Sequence, residues 1–228
     1  MTRLTAEGIM KRYFRKAGEA NFFEAVGKTD LTLEGGEVTV LMGRSGSGKT
    51  TLLHMLGGLL RPTEGRVLLA DTDLYALSDA ALSRLRNQRI AVIPQGRSAV
   101  ETLTVRENIL LPGTLYGEAP ADMSLAANRW MEALGILPLA DSRTRELSGG
   151  ELRRMAIARA LCWKPEVILA DEPTGDLDDE NTTLVLSLLR KAAAEGAAVL
   201  IVSHDDAARP GADHAWRMDA GKLIPMDG

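Results

Sequence analysis

The sequence predicts an α/β fold: a mostly parallel β-sheet covered by helices and interrupted by a helical insertion. Three observations predict it. Short apolar runs at Val38–Met42, 66–70, 90–94, Val167–Asp171 and Ala198–Ser203 are separated by segments of helical pattern, the pattern of strands buried on both faces. The first run passes through a glycine-rich loop, 43–50, into a helix-like segment over 50–60. From about 96 to 147 no buried strand is found, and helical patterns take over.

Taken in order, the alternation of apolar and polar residues near both ends of the chain reads as strands. Within the insertion, Thr104-x-x-Glu107 is a capping box that opens a helix over 104–116, and a second helix follows over 124–135. Ser148 and Glu151 form another capping box ahead of a helix over 152–161 that reads as amphipathic and basic. Met218-Asp219-Ala220-Gly221-Lys222 reads as a turn between two short strands. There is no internal repeat and no low-complexity tract.

The 228 residues suffice for one large α/β domain, and 45% apolar with 25% charged residues is an ordinary globular composition. A formal net charge of −4 argues against nucleic acid as the main partner. The single cysteine, Cys162, excludes an internal disulfide framework and fits a reducing compartment. The N-terminal stretch has no signal-peptide apolar core, and no run approaches the ~18 apolar residues of a membrane span. A membrane role is therefore expected to come through a partner.

The loop Gly43-Arg44-Ser45-Gly46-Ser47-Gly48-Lys49-Thr50, followed by Thr51, fits G-x-x-x-x-G-K-[ST]. Its glycines let backbone N–H groups wrap a phosphate, and the helix that follows adds partial positive charge. Lys49 is expected at the β- and γ-phosphates and Thr50 on Mg²⁺. A merely flexible Gly/Ser loop does not account for Lys-Thr at the mouth of a helix.

The run Val167–Asp171 ends in a carboxylate and is followed by Glu172. Asp171 suits organisation of Mg²⁺, and Glu172 suits polarising a water against the γ-phosphate. Leu147-Ser148-Gly149-Gly150-Glu151 provides a second helix N-terminus with exposed N–H groups, an anion site by the same logic. Two such sites about a hundred residues apart invite a dimer in which each copy closes the other's site. Ser203-His204-Asp205 also invites a hydrolase triad, but sequence neighbours cannot make its convergent geometry.

Together these residues resemble the ATP-binding-cassette (ABC) ATPases, the nucleotide-binding subunits of ABC transporters, over nearly the whole chain. Gly43 to Thr50 is similar to the family's Walker A motif and Gln95 to its Q-loop. Leu147 to Glu151 is similar to its signature, Asp171 and Glu172 to Walker B and the catalytic glutamate, Asp176-Leu177-Asp178 to the D-loop, and His204 to the switch histidine. The resemblance implies a RecA-like core, an N-terminal antiparallel β-subdomain and an inserted helical subdomain, with 1–95 and 156–228 as core and 96–155 as insertion. It implies two Mg-ATP held between two chains, with Thr50, Gln95 and Asp171 around Mg²⁺ and Ser148 and Gly150 acting from the opposite copy. It also implies docking on an integral membrane subunit at the cytoplasmic face of the cell membrane, with coupling through 96–111. An aromatic about 30 residues before Walker A is expected to stack on adenine: Tyr13, with Phe14, Phe22 and Phe23 as alternatives.

Residues 77–87, 103–112 and 171–178 resemble the lipoprotein-releasing, macrolide-exporting and cell-division branch of that family. Arg44, Pro94 and Leu152 depart from its usual pattern. A soluble ABC ATPase of DNA repair or translation, and a small-molecule kinase, are the rival classes. The first usually carries coiled coils or a second cassette, and the second has no need of Leu147 to Glu151 or of His204.

Overall fold

The structure is a computed structural model that describes residues 2–14, 22–96, 98–116 and 122–226. The chain begins with a hairpin of β1 (Arg3–Phe14) and β2 (Phe22–Glu34), then β3 (Val38–Met42), α1 (Lys49–Leu56), β4 (Glu64–Leu69) and β5 (Thr72–Asp73). Next come α2 (Asp79–Arg89), β6 (Ile90–Ile93) and three helices, α3 (Val105–Tyr116), α4 (Asp122–Ala133) and α5 (Gly149–Cys162). β7 (Val167–Asp171), α6 (Asp179–Ala194), β8 (Ala198–Ser203), β9 (His214–Asp219) and β10 (Lys222–Pro225) complete it.

These strands make two sheets. The larger has the order β10-β9-β3-β8-β7-β6, with β9, β3, β8, β7 and β6 parallel and β10 antiparallel at one edge. Its side chains divide by the two-residue period of a strand. Val40, Ile168, Val199 and Ile201 face a core shared with α3, α4, α5 and α6, whereas Leu41, Leu169, Leu200 and Val202 face α1 and the second sheet. Both faces are thus dry, as a parallel sheet requires.

The second sheet, β2-β1-β4-β5, is antiparallel. It corrects one expectation. The run 66–70 was read with the buried parallel strands, yet β4 pairs with β1 and β5 in this sheet. Only Val67 and Leu69 of β4 are buried, while Glu64, Gly65 and Arg66 are exposed. One dry face suffices for an antiparallel strand, and four apolar-looking residues in a row did not reveal which sheet they belong to.

Two helices also differ from the sequence reading. α1 stops at Leu56 rather than near 60, because Gly57 caps it and Gly58 turns into the left-handed region at φ +67°. α5 was read as amphipathic, but Leu152, Arg153, Met155, Ile157, Ala158, Leu161 and Cys162 are all buried, covering most of its circumference. It is the central helix of the insertion, packed by α3 and α4, and the 155/156 boundary falls within it. A Cβ on Gly113 of α3 would lie 1.9 Å from the ring of Trp163, which caps the end of α5.

Candidate active site

The site lies at the C-terminal ends of β3, β7 and β8, where loops leave a parallel sheet and ligands are received. A cavity of about 660 Å³ opens there, lined by Arg44 to Thr51, Gln95, Asp171, Glu172 and His204, with Tyr13, Phe23 and Ala25 on one side.

The loop between β3 and α1 has the backbone its glycines allow. Gly48 is the N-cap of α1 at φ 109°, and a Cβ there would stand 2.3 Å from the Ala25 carbonyl oxygen. Lys49 is buried, and its ammonium donates to the carbonyls of Gly43 at 2.6 Å and Arg44 at 3.1 Å, which centres its charge in the loop. Ser47 Oγ is buried in the same wall without a hydrogen-bond partner among the described residues. An orphaned hydroxyl, a buried ammonium and a helix N-terminus around one hollow fit a bound phosphate.

From β7 come the two carboxylates. Asp171, 2% exposed, accepts a hydrogen bond from Thr50 Oγ1 at 2.7 Å. Its pKa is raised, chiefly by burial and further by the charge of Glu172, against the lowering effects of the Thr50 hydrogen bond, His54 and Lys49. Glu172 follows the strand in the left-handed region at φ 49°, a costly conformation for a residue with a Cβ, and is pinned by its N–H donating to Val202 O at 2.8 Å. That turn brings its Oε1 within 2.8 Å of His204 Nδ1, while Ser203 Oγ donates to Oε2 at 3.3 Å. Thr50, Asp171 and Gln95 offer only oxygen donors toward a cation, with a single carboxylate, which fits Mg²⁺ completed by substrate phosphates and water.

Of the aromatic candidates, Tyr13 and Phe23 face each other across β1 and β2 and both line the cavity. Phe14 and Phe22 form the next pair, on the opposite face of the ribbon, and do not line it.

Leu147 to Glu151 lies elsewhere. Ser148 caps α5: its Oγ accepts from Glu151 N at 3.3 Å, and Glu151 Oε2 accepts from Ser148 N at 2.7 Å. The Ser148 N–H holds the Glu151 carboxyl below its ordinary range. This helix start packs on 175–178: a Cβ on Gly150 would lie 3.4 Å from Leu177, and one on Gly149 4.0 Å from Asp176. Asp178 in turn caps α6 by accepting from Asn181 N at 2.8 Å. None of Leu147 to Glu151 and none of Asp176 to Asp178 lines the large cavity.

One residue of this region escaped sequence reading. Arg153, 9% exposed, donates to Pro94 O at 2.7 Å and Gln95 O at 2.6 Å, joining α5 to the end of β6. Burial lowers its pKa, opposed by the negative charges of Asp176, Asp171 and Glu172.

Comparisons with known proteins agree with this geometry. A family model described as ABC transporter matches residues 26–175. The lipoprotein-releasing system ATP-binding protein LolD of Xanthomonas axonopodis pv. citri is 37% identical over 221 residues, covering 96% of this chain and 89% of its own. LolD 1 of Rhodopseudomonas palustris is 37% identical over 222 residues, covering 96% of this chain and 97% of its own. Among solved structures, the dimeric bacterial ABC transporter cassette MJ0796 superposes with a TM-score of 0.89 at 31% identity, over 99% of both chains. The same cassette as a dimer in a post-hydrolysis state, bound to ADP and Pi, gives 0.89 at 30%, again over 99% of both chains.

Proposed function

This chain belongs to the ABC transporter family as an ATP-binding cassette, and from that premise we propose that two copies close head to tail around two Mg-ATP to drive a membrane subunit that extracts lipoproteins. The likeness to the lipoprotein-releasing cassettes carries the cargo, and the likeness to a dimeric cassette carries the pairing. Among the described residues no helix is long and apolar enough to cross a membrane; the likeness to the lipoprotein-releasing cassettes supports a peripheral position at the cytoplasmic face, on a membrane partner.

The observation that carries the reading is the division of the site. Lys49, Thr50, Gln95, Asp171, Glu172 and His204 share one cavity, whereas the second anion-binding helix start, at Ser148, stands outside it. In the head-to-tail pair, Ser148 and Gly150 of one copy cover the γ-phosphate held by the loop of the other. Tyr13 stacks on adenine, with Phe23 beside it.

Within that closed site each residue has a task that its geometry suits. Lys49 and the loop N–H groups hold the β- and γ-phosphates. Thr50, Asp171 and Gln95 hold Mg²⁺, which when bound neutralises charge on the phosphate oxygens. Glu172 accepts a proton from the attacking water, and its left-handed backbone fixes the direction from which it does so. His204 contacts Glu172 through Nδ1 and lines the same cavity, which sets its ring beside the place of the γ-phosphate. Positioning and charge stabilisation thus supply most of the rate.

Glu172→Gln tests this. General-base loss lowers kcat by about 10²–10⁴-fold, while ATP is still bound and the chain accumulates as a dimer in gel filtration with ATP. Near-normal phosphate release by that variant would remove Glu172 from the role of base.

A further inference from the structure

α5 carries three arginines, Arg153 and Arg154 near its middle and Arg159 in its last turn, and Arg153 and Arg159 turn inward onto backbone carbonyls. Arg153 is buried and makes no ion pair with any described carboxylate. Its guanidinium is spent instead on two consecutive backbone carbonyls, Pro94 O at 2.7 Å and Gln95 O at 2.6 Å. Farther along, Arg159 repeats the pattern at Ser98, donating to its carbonyl at 2.9 Å and to its hydroxyl at 2.5 Å. Burial of a cation without a direct ion pair is costly, and the two carbonyls, with the charges of Asp176, Asp171 and Glu172 nearby, repay only part of that cost. A guanidinium is also a rigid planar fork, so two acceptors fixed on it are fixed relative to each other and to the helix.

Those acceptors belong to the stretch that presents the Gln95 side chain to the cavity. The same helix begins at Ser148, the residue that the proposed pair brings over the partner's γ-phosphate. The Arg153 guanidinium also lies close to the turn after Glu172: a Cβ on Gly175 would stand 3.7 Å from Arg153 Nη2. One side chain thus touches the segments that carry three parts of the site.

We propose that Arg153 is a positioning residue that ties the Gln95 backbone rigidly to α5, so that any shift of the helical insertion moves Gln95 and Ser148 as one body. This rests on the ATPase reading above for the role of Gln95, but the tether itself is a property of the single chain. It gives the insertion a direct mechanical line into the site: a load on α3 or α4 reaches α5 by packing and Gln95 through two hydrogen bonds. Arg159 anchors the far end of the same stretch at Ser98.

The proposal is tested first without nucleotide, by hydrogen exchange on the intact chain. In Arg153→Met, the amides of Gln95, Gly96 and Ser98 exchange at least tenfold faster while those of β3 and β7 keep their protection; unchanged exchange at these three amides overturns the tether. Turnover supplies the second test, as a cycle with Gln95→Ala. Arg153→Met alone lowers kcat on the order of 10- to 100-fold, the scale of a small misplacement in a site, with little change in ATP affinity. In the Gln95→Ala background the same substitution has no further effect. Additive losses mean that Arg153 supports the fold generally and overturn the proposal. Arg153→Lys, which keeps the charge but loses the fork, behaves like Arg153→Met and carries the cycle if the methionine variant does not fold; full activity in the lysine variant overturns it as well. If Glu172→Gln retains turnover, the ATPase reading falls, and the exchange experiment still decides the tether.

Discussion

Asp171 is a residue that the folded chain keeps at a cost. Burial, more than the neighbouring Glu172 charge, raises its pKa above the ordinary 3.8. An unfolded chain ionises this group near that ordinary value, whereas the folded chain resists doing so. The penalty is therefore absent at pH 3, grows as pH rises through the unfolded value, and is complete above the folded one. Asp171→Asn, which still accepts from Thr50, is expected to raise the Tm of the nucleotide-free chain at pH 7, by about 2–4 °C for each kcal/mol relieved. It should do so while abolishing turnover, and the Tm difference should close toward pH 3; an equal or lower Tm at pH 7 would count against a desolvation cost. Asp171 and Glu172 were legible because they end an apolar strand beside a phosphate loop. Arg153 was not. A basic residue on a helix ordinarily reads as a solvated face, and its acceptors are main-chain carbonyls 59 and 58 residues earlier, which leave no mark on the sequence. The aromatic choice was half legible: distance from the loop selected the β1–β2 ribbon, but Tyr13 and Phe23 are register partners, so spacing alone does not separate them.

At the scale of elements, the parallel strands were read from runs of Val, Ile and Leu because both of their faces are dry. The sheet membership of β4 was not, since strand pairing is a long-range property. α5 was misread for a related reason: its three arginines mimic a polar stripe, yet Arg153 and Arg159 turn inward onto carbonyls. The seam between α3 and α5 can be tested at Gly113. Alanine there gains about 1 kcal/mol of helix propensity. Its methyl, however, falls 1.9 Å from the Trp163 ring. That ring cannot swing away freely, because Trp163 Nε1 donates to Ile109 O at 3.2 Å. Overpacking costs about 1–3 kcal/mol or more, so the steric term wins. Gly113→Ala is expected to lower Tm, with near-ultraviolet circular dichroism reporting a disturbed tryptophan; a raised Tm would show that propensity dominates and that the seam is loosely packed.

For the whole molecule, the central fact is that the two helix starts proposed to bind phosphate do not meet within one chain. α1 faces the large cavity, whereas α5 begins against 175–178. The proposed closed pair, having two-fold symmetry, would bring each α5 start to the other copy's loop, and would do so twice or not at all. That symmetry makes a complementation experiment possible. Lys49→Ala removes the phosphate ammonium from a chain and leaves its Ser148 whole; Ser148→Arg fills the second helix start and leaves Lys49 whole. Each variant alone forms pairs in which both sites carry a defect, and each is expected to be inactive. In a 1:1 mixture about half the pairs are mixed, and each mixed pair holds one site with Lys49 and Ser148 both native and one site with both altered. Independent sites then restore about a quarter of wild-type turnover. ATP binding by the Ser148→Arg chain alone should be nearly unchanged, because its own loop is intact. If Ser148 served the loop of its own chain, no mixture would contain a native site. Recovery of ATPase activity on mixing, measured against each variant alone at equal total concentration, therefore separates a site shared between two copies from one complete within a single chain.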